Sequence, residues 1–356
     1  MSLRGVQSVA KQSREDKIIL NSRDCFATFR NDSVYMNLSI IIVNWNVRDL
    51  LHQCLKSIFL FTENIDYEVI VIDNNSDDGS VQMLNFLTFS VQGACLSGRQ
   101  GSTSGGEHDN LQVIFNEENV GFAKANNQGL QKAKGKYVLF MNPDMELVEN
   151  TPKLLYDYME SFYASSYTEA TKDKGEVSAC TCQLQYGDGH RQPNIKRDPS
   201  FLSQLWILYK LHHFWQPWFL KKYLAKDFDY AHEQEVEQIM GAFVFIRRDI
   251  MLKIGGWSED YFIWWEDLDL CKRLRKFGEK IIYTPVSRVI HYEGRSFAQQ
   301  LSLIKQKRFN RGMLIYFKKH HGSLAWFILK IANWDNLILA WIIQIFRFKG
   351  KTQSKI

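Results

Sequence analysis

Two nucleotide-binding signatures are missing from this sequence. No G-x-G-x-x-G follows its first β-like run and no G-x-x-x-x-G-K-[ST] occurs anywhere, so hydride transfer on a dinucleotide and P-loop phosphoryl transfer both lose support. The six cysteines, at positions 25, 54, 95, 180, 182 and 271, form no C-x-x-C pair and have no partnering histidine cluster. A zinc site is therefore not expected, and a reduced, cytoplasmic environment fits. The first 37 residues are broken by Arg4, Lys11, Arg14, Glu15 and Asp16 and hold no apolar stretch of signal-peptide type. Two apolar pieces near the end, 324–332 and 337–346, are separated by Asn333, Asp335 and Asn336. Neither reaches the ~18–20 residues that a membrane-spanning helix needs.

What is present is an ordinary globular composition, 45% apolar and 23% charged over 356 residues, with an uneven distribution of charge. Residues 302–356 contain eleven Lys or Arg and a single acid, Asp335, so this tail carries +10; the whole chain is +5, which leaves −5 for the rest. The expected organisation is a polar arm over 1–37, one α/β domain over 38–300 with halves at 38–150 and 151–300, and a basic, apolar helical tail over 301–356.

Strand and helix patterns alternate through the first half. Leu38–Asn46 is a β-branched run ending in polar residues, followed by apolar positions at helical spacing over 49–61. Glu68–Ser76 repeats the pattern, and Leu111–Phe115 is a further strand. Asn119–Gly129 opens a helix, and 137–141 is a core strand that Pro143 ends. Such alternation predicts a mostly parallel sheet flanked by helices. A Gly/Ser-rich surface loop is expected over 93–110, a polar loop over 168–176, and a helix through the aromatic stretch 200–224. That helix reads either as packed on the core or as a wall of a substrate site or lipid-facing surface. Strands are expected at 177–185, 240–248, 280–285 and 288–291.

Polar residues collect where these strands end: Asn44 and Asn46, Asp73 with Asn74, Asn142 with Asp144, and His291. Open α/β sheets bind ligands at that edge. Asp144 is placed to hold a divalent cation against a diphosphate, although Asn-Pro-Asp is also a good turn. His291 reads as a core histidine or, beside Asp144, as a further metal ligand. Glu266 and Asp267 fall in the first turn of a helix, where the dipole favours acids whatever their function. With Trp264 and Trp265 before them, they also suit proton abstraction from a hydroxyl.

Six segments occur in an order that resembles family 2 glycosyltransferases, closest to the bacterial rhamnosyltransferase-like branch. They are Ser39–Asn46, Val71–Gly79, Asn119–Gly129, Asn142-Pro-Asp144, Gly241-Ala-Phe, and Trp265–Cys271 with His291. The resemblance covers about residues 38–295. It implies a GT-A fold, a nucleotide-diphosphate-sugar donor of the dTDP-rhamnose or UDP-sugar class, a Mg²⁺ or Mn²⁺ ion, and inversion at the anomeric carbon. On this resemblance Asp267 would be the general base, and Asp144 and His291 would hold the metal. Val43, Asn44, Asn46, Asp73, Asn75, Lys124, Asn127, Asn142 and Asp144 would surround the donor. Asn142 stands where many relatives carry the first acid of D-x-D, which removes a charge from the metal site.

The implied acceptor is a glycan, free or carried on a polyprenyl diphosphate, in cell-surface polysaccharide synthesis. The basic tail is then expected to lie on the inner face of the cell membrane, its Trp and Lys/Arg residues suited to an interfacial helix; a cover for the sheet or a homodimer interface is the alternative. Nucleic acid is not an expected partner. Two rivals remain: a non-catalytic nucleotide-sugar or polysaccharide binding protein, and a sugar-phosphate nucleotidyltransferase. The latter should carry a Gly-rich basic loop after the first strand, and Asn44–Asp49 is not one.

Overall fold

The computed structural model describes residues 36–96, 110–166, 176–292 and 302–336. Residues 1–35 of the expected arm, 97–109 of the expected Gly/Ser loop, the polar loop up to 175 and the second apolar tail piece at 337–346 lie outside the described residues.

β1 (Leu38–Asn44), β2 (Tyr67–Asp73), β3 (Leu111–Phe115) and β4 (Tyr137–Met141) are all parallel, in the order β3-β2-β1-β4. Their β-branched residues alternate between two cores. Ile40, Ile42, Val69 and Val71 face Leu51, Leu55 and Ile58 of helix α1 (Arg48–Phe61), whereas Ile41, Ile70 and Ile72 face Ala123, Ala125 and Leu130 of α3 (Phe122–Lys132). Each such side chain contributes roughly 1.5–3 kcal/mol by leaving water. Helix α2 (Ser80–Leu96) lies between β2 and β3 in the chain and continues beyond residue 93, where a loop was expected.

The second half of the sheet is mixed. The order continues β4-β11-β6-β12-β5 through β11 (Phe243–Arg247), β6 (Val177–Gln185), β12 (Lys280–His291) and β5 (Met145–Leu147), with β11 antiparallel to both neighbours and β6 parallel to β12. β7 (Arg191–Gln192) pairs with β6, β9 (Gln234–Glu235) with β12, and β8 (Ile195–Lys196) with β10 (Gln238–Ile239), while helices α4 (Thr151–Ser166) and α7 (Arg248–Lys253) complete this half. The two strands expected at 280–285 and 288–291 form this single β12, its register shifted between Tyr283 and Arg288. The short β5 (Met145–Leu147) runs antiparallel to the end of β12, with His291 opposite Met145.

The expected helix over 200–224 is broken. Helix α5 (Phe201–Leu208) gives way to a 3₁₀ turn at Leu211–His213 and then to α6 (Trp218–Tyr223). Lys210 takes a left-handed conformation, φ 60°, and Pro217 cannot continue a helix from within. Phe214, Trp215 and Trp218 are left exposed.

The tail packs on the body. The helix Ser302–His320 and the helical residues 323–336 enclose a third core, in which Met313, Tyr316, Phe317, Leu329 and Ala332 meet Leu208, Tyr261, Trp265 and Leu268. Asn310, buried, joins the two helices by donating to Asn333 (2.7 Å) and Asn336 (3.0 Å), and Asn336 donates to the Leu208 carbonyl. The residues that interrupt the apolar run are thus the polar clasp of a helical hairpin. No described helix is long and apolar enough to cross a membrane.

Candidate active site

Asp144 sits in the turn between β4 and β5, and the pairing of β5 with β12 brings His291 to it. The Tyr292 N–H donates to the Asp144 carbonyl (2.9 Å), and His291 Nε2 lies 3.4 Å from Asp144 Oδ1. Both side chains are buried. Gln192 Oε1 stands 2.9 Å from His291 Nδ1. A proton on Nδ1 satisfies that bond and leaves the Nε2 lone pair facing Asp144. The site therefore offers one carboxylate oxygen and one imidazole nitrogen. Among the described residues no group of three His, Cys, Asp or Glu could hold a metal. Glu146, two residues on, accepts instead from Gln53 (2.7 Å) and Tyr292 (2.5 Å).

The register of β1 against β2 sets Asn44 opposite Asp73. Asn44 Nδ2 donates to Asp73 Oδ2 (2.8 Å) and to Ser76 Oγ (3.1 Å), while Asp73 Oδ1 accepts the Ser76 N–H (2.9 Å). Asn46, in a left-handed conformation, ties the loop further by accepting the Asp77 N–H (2.8 Å). Asp73 is buried and both its oxygens hold this loop, so it shapes the strand ends rather than projecting from them. Asn75 projects instead, exposed and with φ 65°. Asn74, unlike its neighbour, is buried and accepts from Asn116 and from the Val120 N–H (both 3.1 Å), which anchors the start of α3.

Lys124 is exposed on α3. Asn127 is not free in the same way: its amide donates to the Trp257 carbonyl and to Glu259, and accepts the Trp257 N–H, all at 2.9 Å. It clamps α3 to the 255–259 turn. Val43 is half-buried against the second core, and Asn142 is half-buried, its N–H donating to the Ala242 carbonyl (2.9 Å).

Asp267 opens α8 (Glu266–Lys276). Its Oδ2 accepts the Gly241 N–H (3.1 Å) and its Oδ1 the Leu268 N–H (2.8 Å). A Cβ at Gly241 would stand 3.0 Å from the Asp267 Cβ, so any larger residue there would crowd this approach. Burial raises the Asp267 carboxyl above its ordinary range against the pull of these N–H groups and of Lys196. Glu266 is pushed up to about 8 by burial first and by the Asp267 charge second, and its buried Oε2 has no partner among the described residues. Burial and the neighbouring Asp267 charge thus favour the neutral form of Glu266, while burial also raises Asp267 against the N–H groups that bind it.

The turn before this pair is strained. Trp264 and Trp265 both take left-handed conformations, φ 64° and 73°, which cost about 1–3 kcal/mol each in a bulky residue. The tail braces them. Trp265 is buried among Phe309, Tyr316 and Phe317, and a Cβ at Gly312 would meet Trp265 Cδ1 at 2.8 Å and the Trp264 carbonyl at 3.0 Å. One turn along α8, Asp269 is fully buried and bonded by Arg273 (2.6 Å), His320 (2.9 Å) and Tyr261 (3.3 Å), with Lys319 at 3.6 Å. Burial works to raise its carboxyl, but the His320 bond and the Arg273 charge outweigh it and hold it at about 2.

Sequence reasoning named Asp267 but not these supports. An isolated glycine in a helical pattern was the available signal at Gly312; Asp269 and Gln192 had none, since their partners come from elements distant in the chain.

An α/β sheet whose parallel half gathers polar strand ends, joined to a mixed half that carries a shielded acid pair, is the GT-A arrangement. The chain belongs to glycosyl transferase family 2, whose model matches residues 39–228, just over half of the sequence. It is similar to the N-acetylglucosaminyl-diphospho-decaprenol L-rhamnosyltransferase of Mycobacterium tuberculosis, 24% identical over 86% of this chain and 89% of that one. It is also similar to the rhamnosyltransferase WbbL of Escherichia coli, 25% identical over 72% of this chain and 85% of that one. Among solved structures, S. aureus TarS 1–349 in complex with UDP-GlcNAc superposes with a TM-score of 0.49 at 15% identity, covering 79% of this chain and 65% of that one.

Proposed function

We propose that this glycosyltransferase inverts the anomeric centre as it moves a deoxyhexose such as rhamnose from a dTDP- or UDP-linked donor to a hydroxyl of a glycan carried on an isoprenoid diphosphate. The observation that carries the reading is the acid pair at the start of α8: Asp267, its carboxylate bound by the Gly241 and Leu268 N–H groups, stands beside Glu266, whose buried Oε2 has no partner among the described residues. An ionised, shielded carboxylate is what removes a hydroxyl proton during attack. The donor's nucleoside lies along Val43, Asn75 and the loop that Asn44, Asn46 and Asp73 hold in shape, with Lys124 presented to its phosphates. Asn142 and Asp144 close the diphosphate end, and Asn127 fixes the helix that carries Lys124.

Asp144 and His291 fit a divalent cation shared with the diphosphate, because Gln192 turns the His291 Nε2 lone pair toward the carboxylate. One imidazole among the ligands suits Mn²⁺ better than Mg²⁺, which prefers an all-oxygen shell. When bound, such an ion stabilises the negative charge of the departing nucleoside diphosphate.

Incubation with dTDP-, UDP- and GDP-sugars and a lipid-linked glycan tests this. Release of a nucleoside diphosphate that needs acceptor is the expected result. Release of pyrophosphate would identify a nucleotidyltransferase, and binding with no release a non-catalytic protein.

A position on the inner face of the cell membrane fits the same chemistry. Along residues 323–336, Leu324, Phe327, Ile328, Ile331 and Trp334 form an outward stripe at helical spacing and are exposed. Sedimentation with anionic liposomes should fall several-fold in Phe327→Glu/Ile331→Glu; unchanged pelleting counts against the stripe. Truncation is a poorer test, because it would also remove Leu329, Ala332 and Asn336 from the third core.

A further inference from the structure

We propose that the groove between the helix Ser302–His320 and the helical residues 323–336 binds the diphosphate of an isoprenoid-linked acceptor. The proposal rests on the transferase reading above and assigns the acceptor a place.

Lys307, Arg311 and Lys318 recur along one face of the first helix, and Lys330 faces them from the second. They line a cavity of about 310 Å³ with no carboxylate in its wall. None of the four has an acidic partner among the described residues. The contrast with the next residue is direct: Lys319 pairs with Asp260 at 2.7 Å and lies 3.6 Å from Asp269. The ammonium groups of Lys318 and Lys330 both stand over the Trp326 ring, 5.8 and 4.9 Å from its centroid. The ring face attracts each cation, but two like charges over one ring repel, and an anion entering the groove relieves that repulsion.

The shape separates a diphosphate on a lipid from a bare bilayer. The four cations line the concave side of the hairpin, whereas the outward side of residues 323–336 is the apolar stripe. Flat headgroup contact would call for cations on the outward face. A lipid whose diphosphate enters a groove while its chain stays in the bilayer matches both sides. Leu314 and Ile315 give the groove an apolar wall for the first carbons of such a chain.

The groove also adjoins the segment that leads into α8. A second cavity, about 260 Å³, shares Arg311 and Ile315 with the first and is otherwise lined by Gly312, Arg308 and residues 260–263. Those residues run into the braced Trp264–Trp265 turn and so to Asp267. The two cavities thus adjoin, and the second lies beside the residues that precede the Trp264–Trp265 turn.

The test uses the full chain and a chemically defined probe, geranylgeranyl diphosphate in micelles, with geranylgeranyl monophosphate, inorganic pyrophosphate and anionic liposomes as comparators. The variant is Arg311→Gln/Lys318→Gln/Lys330→Gln, whose exposed positions leave the core untouched. Wild type should bind the isoprenyl diphosphate, and the variant should bind it at least about tenfold more weakly, in keeping with loss of charge-assisted hydrogen bonds. Donor affinity should stay within twofold, and liposome binding should fall by less than the diphosphate does. Equal losses for liposomes and for the isoprenyl diphosphate would reassign the groove to bilayer headgroups; unchanged diphosphate affinity overturns the proposal. If wild type binds the isoprenyl diphosphate but neither binds nor cleaves any nucleotide sugar, the transferase reading fails while the groove stands.

Discussion

The two carboxylates at the centre of this protein are held by opposite means. Asp144 is fixed by sheet pairing: β5 lies against β12 in register, His291 arrives with it, and Gln192 sets the imidazole. Asp267 is fixed by strain: two tryptophans in left-handed conformations aim the first turn of α8, and a helix from the tail, seated on them through Gly312, keeps them there. Regular backbone pairing needs no support from outside the sheet. A strained turn persists only where its surroundings over-determine it, so the position of Asp267 depends on the tail and that of the Asp144–His291 pair does not. The comparison implies that tail variants should reach the chemical step while sparing donor binding.

The largest expected effect is that of Asp267→Asn, which removes the proposed base and no proposed donor contact. Transfer should fall by at least ~10²-fold with donor affinity, read by titration calorimetry, nearly unchanged. Transfer above about a tenth of the wild-type rate would show that the base lies elsewhere.

Next is Gly312→Val, which tests the brace itself. The added side chain meets Trp265 and the Trp264 carbonyl; kcat should drop roughly 10–100-fold, in line with the sensitivity of catalysis to ~1 Å displacements, while donor KM holds. Donor KM rising as much as kcat falls would mean that the two carboxylates are not separately supported.

On the other side, Asp144→Ala and His291→Ala should each weaken Mn²⁺-dependent donor binding by about tenfold or more, and EDTA should do the same to wild type. Donor affinity indifferent to both chelation and substitution would leave the pair with a purely structural role.

The smallest effect separates the members of the acid pair. The Glu266 carboxyl titrates near 4.5 when unfolded and at about 8 in place. Between those values the folded protein keeps a proton that the unfolded chain has lost, so stability falls as pH rises through that window. Glu266→Gln should abolish the fall, raising stability at pH 8 by about 1–3 kcal/mol relative to wild type while leaving pH 5 little changed. Chemical denaturation at the two pH values measures it, and a parallel pH dependence in both proteins would remove Glu266 as a buried neutral acid.

Legibility followed the range of the interactions. The parallel half of the sheet was readable because β1, β2 and β4 carry continuous apolar runs and end in polar turns, all of it local. The reversal at β11 was not, since an antiparallel strand buried on both faces has the same composition as a parallel one. The aromatic stretch 200–224 misled for a different reason: apolar content suggested one helix, but a left-handed Lys210 and Pro217 divide it.

Of the candidate site, Asp144, His291 and Asp267 stood out as candidates from residue type and order, because polar residues at strand ends and carboxylates in a first helical turn are placed by secondary structure alone. What Asp73 and Asn127 do was decided by packing, which spends their polar atoms on loop and helix anchors.

The sequence by itself determined the family, the alternating β/α core and the charge of the tail, since these reside in local pattern and composition. Only the tertiary structure decided that the tail braces the turn before Asp267. Gly312 lies 47 positions from Trp265 and His320 lies 51 from Asp269, and the contacts between them exist only once the third core has closed, because burying Tyr316, Phe317 and Trp265 together is what brings those helices face to face.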